Sequence, residues 1–460
     1  MYNLIVQFSK YAILLLMAIY TLQSYVVFSK RNEEDKEFLF LRQNLMMFLI
    51  HFVAFVMMYM ETEDMQLFFL YGAQFIYLAA TLVFFRNLYS RASKLVVNHM
   101  CMLIMIGFVM ITRLGYDRAS MQFDFGQIIR QFEVAAAATV IALLVPVIIR
   151  KVKVLTKWTW LYALGGLAVL AVVMVVAKET YGAKLGFSIA GISVQPSEFV
   201  KIIFVFGIAG MLGKARCFLD LVIATAVAAA HVLVLVLSKD LGSALIFFVT
   251  YLVMLYVATR NSLYLFAGLG AGSLASVAAY YLFGHVRQRV QIWLDPFADY
   301  ASAGYQIAQS LFAIAAGGWF GTGLMQGTPD NIPIVEQDFM FAAICEELGG
   351  VFGICLILVC MSCYIMFVNI AMRLSNRFYR LVALGLGTMY AVQVFLTVGG
   401  AMKFIPLTGV TLPLVSYGGS SILSTVLMFA IIQGLYIMRE DEEDALEKIR
   451  EMEMVRKRPF

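Results

Sequence analysis

Charge is scarce in this sequence. Only 14% of its 460 residues are Asp, Glu, Lys or Arg, against 62% hydrophobic, and the mean hydropathy is +0.85. Soluble domains average about a quarter charged and about half apolar, so a water-surrounded globule is excluded and a polytopic membrane protein is expected. Histidine is also sparse: His51, His99, His231 and His285 stand far apart and form no metal motif. The six cysteines give no ligand pattern either. Cys355, Cys360 and Cys363 share one apolar run without His or further Cys at ligand spacing, and read as small packing hydrophobes. There is no Gly-rich P-loop and no Ser-His-Asp or Cys-His set. The net charge of +5 is scattered through short loops, which excludes a nucleic-acid-binding face. The first apolar run, 11–28, lacks a small-residue cleavage site and leads into further spans, so no cleaved signal is expected.

What is present is length without charge. A helix needs about 20 apolar residues to cross a bilayer. Thirteen runs qualify, near 11–28, 44–60, 66–85, 97–112, 133–149, 159–177, 197–213, 218–237, 240–258, 262–283, 348–371, 380–397 and 420–438. Alternate loops hold most of the basic residues: Lys30, Arg31, Lys36 and Arg42; Arg86, Arg91 and Lys94; Arg150, Lys151, Lys153 and Lys157; Lys214 and Arg216; Arg260; Arg373, Arg377 and Arg380; and the tail after Met438. The positive-inside bias puts that side in the cytoplasm, the N-terminus outside and the C-terminus inside. Residues 284–347 then form one long external segment. Its inner portion, "IAQSLFAIAAGGWFGTG", is apolar and Gly-rich and is expected to fold back against the bundle.

A charge in or near the bilayer needs a reason. Glu198 and Lys201 open the seventh span at i, i+3 spacing, on one helix face. Lys239 and Asp240 begin the ninth, Arg287 and Arg289 follow the tenth, and Glu346 and Glu347 enter the eleventh. Each alone reads as a solvated helix end or a structural ion pair. As a set at the outer mouths of several helices they describe a polar cleft suited to an amphiphile with an anionic head. A carboxylate base with cations for a phosphate leaving group fits glycosyl or phosphoryl transfer from a lipid pyrophosphate. It equally fits a transporter gripping a lipid head group.

Six stretches carry a resemblance. "GVTLPLVSYGGSS" (409–421) resembles the signature loop of the SEDS (FtsW/RodA/SpoVE) family of shape, elongation, division and sporulation proteins. "QPSEFVK" (195–201), "DLGSAL" (240–245), "RVQIWLDP" (289–296), "AGYQIAQS" (303–310) and "DFMFAAICEELG" (338–349) match its other motifs in order, over roughly 97–438. The resemblance implies an all-α polytopic core of ten helices at 96–438, preceded here by a three-helix extension (1–95) and followed by a charged tail (439–460). It implies a bacterial plasma-membrane glycosyltransferase that polymerises lipid II during division, elongation or sporulation, with a class B penicillin-binding protein as partner. The family's catalytic aspartate lies six residues before the tyrosine of G-Y-Q. Tyr305 therefore fixes it as Asp299, whereas Asp295 belongs to the preceding W-x-D-P turn.

Under that resemblance Asp299 is the general base of an inverting transfer with undecaprenyl diphosphate as leaving group. Lys201, Lys239, Arg287 and Arg289 are candidates to neutralise the diphosphate. Glu198, Asp240, Tyr305, Gln306 and Ser416 are further substrate-contact candidates, although Ser416 lacks a base partner for nucleophilic work. A divalent cation (Mg or Mn) bridging diphosphate oxygens is the one cofactor expected. No organic cofactor and no protein metal site are expected. The chain departs from the family pattern at Leu185-Gly186, where Arg-Trp is usual and Lys184 stands just before as a point charge without bidentate reach. Thr397 replaces Asn, Lys403 replaces Gly and Lys239 replaces Pro. Two other readings remain: a lipid II flippase, and a silent scaffold that activates a penicillin-binding protein. "SKRNEEDKEFLFLRQ" (29–43) is expected to be a solvated loop, and the tail a short charged helix.

Overall fold

The computed structural model describes residues 2–118, 120–177, 186–189 and 192–456. Three helices open the chain: α1 (Tyr2–Ser29), α2 (Glu33–Thr62) and α3 (Gln66–Leu88). Next come α4 (Lys94–Leu114), a hairpin of β1 (Tyr116–Asp117) and β2 (Gln122–Phe123), α5 (Phe125–Ala142), α6 (Val145–Lys151) and α7 (Thr159–Val176). A second hairpin, β3 (Phe187–Ile189) with β4 (Ile192–Val194), leads to α8 (Pro196–Lys214), α9 (Phe218–Leu237), α10 (Leu241–Thr259) and α11 (Ser262–Leu282). The chain then runs through α12 (Gly284–Leu294), α13 (Tyr305–Gly317), α14 (Met340–Leu348), α15 (Gly350–Arg373), α16 (Arg377–Ala401) and α17 (Gly419–Arg456). Thirteen spans are long and apolar enough to cross a membrane, with α5 and α6 counted together and α12, α13 and α14 left out. The fold is an all-α, multi-pass membrane architecture.

Several elements run beyond the lengths hydropathy gives. α2 starts at Glu33, so most of the expected 29–43 loop is helix. Asn32 caps it, accepting from Glu34 N at 3.2 Å, with Glu33, Glu34 and Asp35 in the first turn complementing the helix dipole. The tail is no separate helix: α17 runs unbroken for 38 residues. Asp441 beneath it pairs with Arg91 (3.0 Å) and Arg150 (2.6 Å), and Glu442 accepts from Ser375 N.

Lipid provides no hydrophobic force between helices, so close backbone approach and polar contacts hold the bundle together. α4 lies at the centre, buried from Leu95 to Arg113, whereas α11 lies at the edge with no buried residue. A Cβ at Gly107 would meet Leu414 and Val415 carbonyl oxygens at 2.8 Å, which is how the 405–418 loop rests directly on α4. α1 packs on α2 and α15, and α2 and α3 pack on α4. Two buried seams join them: Tyr20 OH to His99 Nδ1 (2.9 Å) to Ser362 Oγ (3.0 Å), and Asn98 to Gln43 (3.0 Å) to Ser24 (3.3 Å).

The 284–347 segment folds back as expected. α14 is buried along its whole length, packed against α13 and α15. The contact is so close that a Cβ at Gly317 would lie 2.0 Å from Cys345 O. Gly317→Ala is therefore expected to lower stability by about 1–3 kcal/mol, as overpacking does. Gly165→Ala in α7, where a Cβ meets nothing within 4 Å, is the control that leaves stability unchanged or slightly raised. Thermal unfolding of the two variants in detergent checks this.

Candidate active site at the 284–347 end

The loop after α16 is held from beneath by a buried polar network. Lys201 is 1% exposed, and its ammonium lies 2.9 and 2.8 Å from the two Glu198 carboxylate oxygens and 2.7 Å from Gln393 Oε1. Gln393 Nε2 donates to Thr411 O at 3.0 Å, and Ser424 Oγ donates to Glu198 Oε2 at 2.9 Å. The i, i+3 pair anticipated on α8 is thus formed, and it ties α8 to α16, to α17 and to the loop. Thr397 lies 2.8 Å from Val410 O through its hydroxyl, a further stitch at a position where the family has Asn. Ser416 is also internal: its Oγ accepts from Leu412 N at 3.0 Å and its carbonyl accepts from Gln131.

Asp240 caps α10, accepting from Ser243 N at 3.0 Å, with Ser197 Oγ at 3.4 Å. Burial raises its pKa, partly offset by those hydrogen bonds. Arg289 on α12 reaches Thr408 O at 3.4 Å and feels the charges of both Asp240 and Asp338. Asp338 faces the same loop: a Cβ at Gly409 would lie 3.7 Å from its Oδ2. Burial pushes Asp338 up to about 6, with Arg289 opposing the rise and Glu336 adding to it. Between about pH 4 and about 6 the folded chain holds a proton there that the unfolded chain has lost. Its contribution to stability is greatest below that window and is lost as pH rises through 6. Asp338→Asn is expected to remove this slope from a plot of unfolding midpoint against pH.

Above the loop sits the opening aspartate pair. α12 and α13 both hold the 401–408 stretch: Trp293 Nε1 donates to Lys403 O at 3.1 Å, and Ser310 Oγ to Ala401 O at 2.8 Å. The segment joining α12 to α13 closes on itself, with Gly304 N donating to Asp299 O at 3.0 Å. A Cβ at Gly304 would strike Pro296 O at 2.0 Å, so only glycine allows this turn. Asp295 Oδ1 accepts from Phe297 N (3.0 Å) and Ala298 N (3.2 Å), an Asx turn that spends its carboxylate on the backbone. Asp299 is exposed. Ser302 Oγ donates to its Oδ1 at 2.6 Å, and among the described residues nothing bonds Oδ2. Tyr305 and Gln306 begin α13, half-buried, with the Tyr300 ring 5.6 Å from that of Tyr305.

The remaining candidates spread along this rim. Arg287 is exposed, donating to Tyr281 O and lying over the Tyr280 ring. Lys239 is half-buried, close enough to His285 for its charge to lower the imidazole pKa after burial and Arg289. Its φ of +63° is one no proline can adopt, so the turn before Asp240 is built differently from the family's. Lys184 and Leu185 lie outside the described residues. Among those residues, no group of three or more His, Cys, Asp or Glu is gathered to hold a metal.

Sequence reasoning missed Arg113. It is fully buried, donating from Nε to Glu347 Oε1 at 2.6 Å and from Nη2 to Gly327 O at 3.1 Å, with Asp330 at 3.5 Å. Glu347 also accepts from Met325 N, and Glu346 from Thr328 N. These contacts clamp the 325–330 stretch to α4. The signal was present, since Arg113 is a lone charge at the end of an apolar run.

Thirteen apolar spans and an internal polar network topped by an exposed carboxylate define a multi-pass membrane protein with a substrate-sized polar end. Residues 93–441 match the family model for FtsW, RodA and SpoVE, described as cell cycle protein. That is well over half of the chain, and the chain belongs to this family, the SEDS proteins. The matched stretch begins at α4, so α1–α3 lie outside it. The peptidoglycan glycosyltransferase RodA of Mycobacterium bovis is 39% identical over 297 residues, covering 60% of this chain and 63% of that one. A probable peptidoglycan glycosyltransferase FtsW of Saccharophagus degradans is 31% identical over 363 residues, covering 74% and 92%. A solved structure concerned with the coordination of polymerization and crosslinking by a peptidoglycan synthase complex matches with a TM-score of 0.63 at 26% identity, covering 76% of this chain and 98% of that one. The chain spans about 63% of the length of the mycobacterial relative it matches.

Proposed function

We propose that the chain is a peptidoglycan glycosyltransferase that polymerises lipid II, with Asp299 as its general base. The observation that carries this reading is the contrast between the two aspartates: Asp295 is used up in its turn, whereas Asp299 offers an exposed carboxylate with one open oxygen. Asp299 takes the proton from the 4-hydroxyl of one lipid II as that oxygen attacks the anomeric carbon of another sugar. The bond to undecaprenyl diphosphate breaks, and configuration inverts from the α-phosphate to a β-1,4 link. Arg289, Arg287 and Lys239 neutralise the departing diphosphate. A divalent cation, Mg or Mn, would be held there by the diphosphate's own oxygens. Glu198, Lys201 and Asp240 act by fixing the loop beneath, and Tyr305, Gln306 and Ser416 shape its edge.

The basic loops support an orientation with the N-terminus outside, the C-terminus cytoplasmic and this site on the outer face. A class B penicillin-binding protein is the partner that would crosslink the strands. The test is strand synthesis by the purified chain in liposomes supplied with lipid II, with and without such a partner. Strands are expected. No strands with the partner present and lipid II bound would instead support a flippase or a silent scaffold.

A further inference from the structure

We propose that a cleft between α2, α3 and α4 is a binding site for a phospholipid with a singly charged anionic head. One acyl chain lies inside, and the phosphate sits at Arg86 and Lys94. The proposal stands apart from the polymerase reading, because the site belongs to the extension and to the first core helix.

The cleft arises from how α2 and α3 pair. From their shared turn inward they are zipped by rings: Tyr59–Phe68 (4.6 Å), Phe55–Tyr71 (5.5 Å) and Phe48–Phe75 (4.8 Å between centroids). Past Phe48 no ring pair joins them, and small Ala79 faces the gap. The helices next meet at their far ends, where Arg86 bonds Glu37 at 2.9 Å. Between these two points lies a cavity of about 230 Å³, walled by Phe40, Leu41, Phe48, Leu82, Val83 and Val97. That is smaller than a typical drug-sized pocket, and suits a stretch of one acyl chain. An empty apolar void forfeits the dispersion contacts of its lining, whereas a chain restores them.

The mouth supplies the head-group chemistry. Glu37 bonds both Arg86 and Lys94, so two cations share one carboxylate and the mouth carries one net positive charge. A phosphodiester monoanion balances it, and the planar guanidinium is shaped to bond phosphate oxygens. About two helical turns inward from Glu37, Asn44 also lines the cleft, and its Oδ1 is buried without a partner. The two ends of an amide are interchangeable in placement, and turned over, its amino group meets an ester carbonyl at the depth where a phospholipid carries them. The polar groups thus follow the order of a phospholipid from phosphate to ester to hydrocarbon.

The test uses the full chain purified in a neutral detergent. Native mass spectrometry is expected to find one co-purified phospholipid per chain. Added phosphatidylglycerol is expected to raise the unfolding midpoint more than phosphatidylcholine does, because a ligand of the folded state alone stabilises it. Two variants attack the site differently: Arg86→Gln with Lys94→Gln removes the cations, and Leu82→Trp fills the cavity and leaves the charges. Both are expected to keep the elution volume of wild type and to weaken apparent phosphatidylglycerol affinity by about tenfold or more. Equal stabilisation by the two lipids overturns the proposal, as does lipid retention unchanged in both variants. Retention of a polyprenyl phosphate in place of a glycerophospholipid also overturns it.

Discussion

Replacing Asp299 with Asn is expected to reduce strand synthesis from lipid II by about 10²- to 10⁴-fold, the range a positioned general base contributes. Asn keeps the shape and the Ser302 contact but cannot accept the proton of the attacking hydroxyl. Asp299 is exposed and makes only that one side-chain bond, so the variant should unfold at the temperature of wild type. Asp295→Ala should show the opposite pattern. It loses two hydrogen bonds to Phe297 N and Ala298 N, worth about 1 kcal/mol each, and keeps most of the activity. Initial rates with labelled lipid II, read as glycan length on a gel beside unfolding curves, separate the two. Activity of Asp299→Asn above about a tenth of wild type would remove Asp299 from the role of base.

Lys201→Met carries the largest expected cost in stability. The ammonium is buried and fully engaged by Glu198 and Gln393, so its removal strands a buried carboxylate. Breaking such a pair from one side costs about 3–5 kcal/mol. Changing both partners, Glu198→Gln with Lys201→Met, leaves no uncompensated charge and is expected to recover most of that loss. A double-mutant cycle on unfolding measures the coupling. A double variant that is as unstable as the sum of its singles would mean that the pair is not coupled as the geometry describes.

The spans were legible because thirteen long apolar runs have few alternatives to crossing a membrane. Where hydropathy misled, local chemistry held the better signal. The charged 29–43 run looked like a solvated loop, yet Asn32 followed by Glu33, Glu34 and Asp35 is a helix start, and the helix forms. Glu198 and Lys201 were legible as a pair because a helix brings i and i+3 together. Their links to Gln393 and Ser424 were not, since those partners lie 192 and 226 residues away. Arg113 shows the same limit: an isolated charge can be flagged from the sequence, but its bond to Glu347 spans 234 residues and exists only in the folded bundle. The exposed rather than buried state of Asp299 likewise depends on the tight turn at Gly304.

The unbroken course of α17 has a mechanical meaning. Thirty-eight helical residues make a rod about 57 Å long, with Ser421 and Ser424 near one end and Asp441 further along. Ser424 holds Glu198 and Ser421 holds Thr411, so the end of the rod grips the same loop that underlies Asp299. No kink interrupts the described helix, and a stiff helix does not absorb axial load. A pull on the tail strong enough to break the Asp441 contacts with Arg91 and Arg150 is therefore felt at Ser424 as displacement, with the helix as the lever between them.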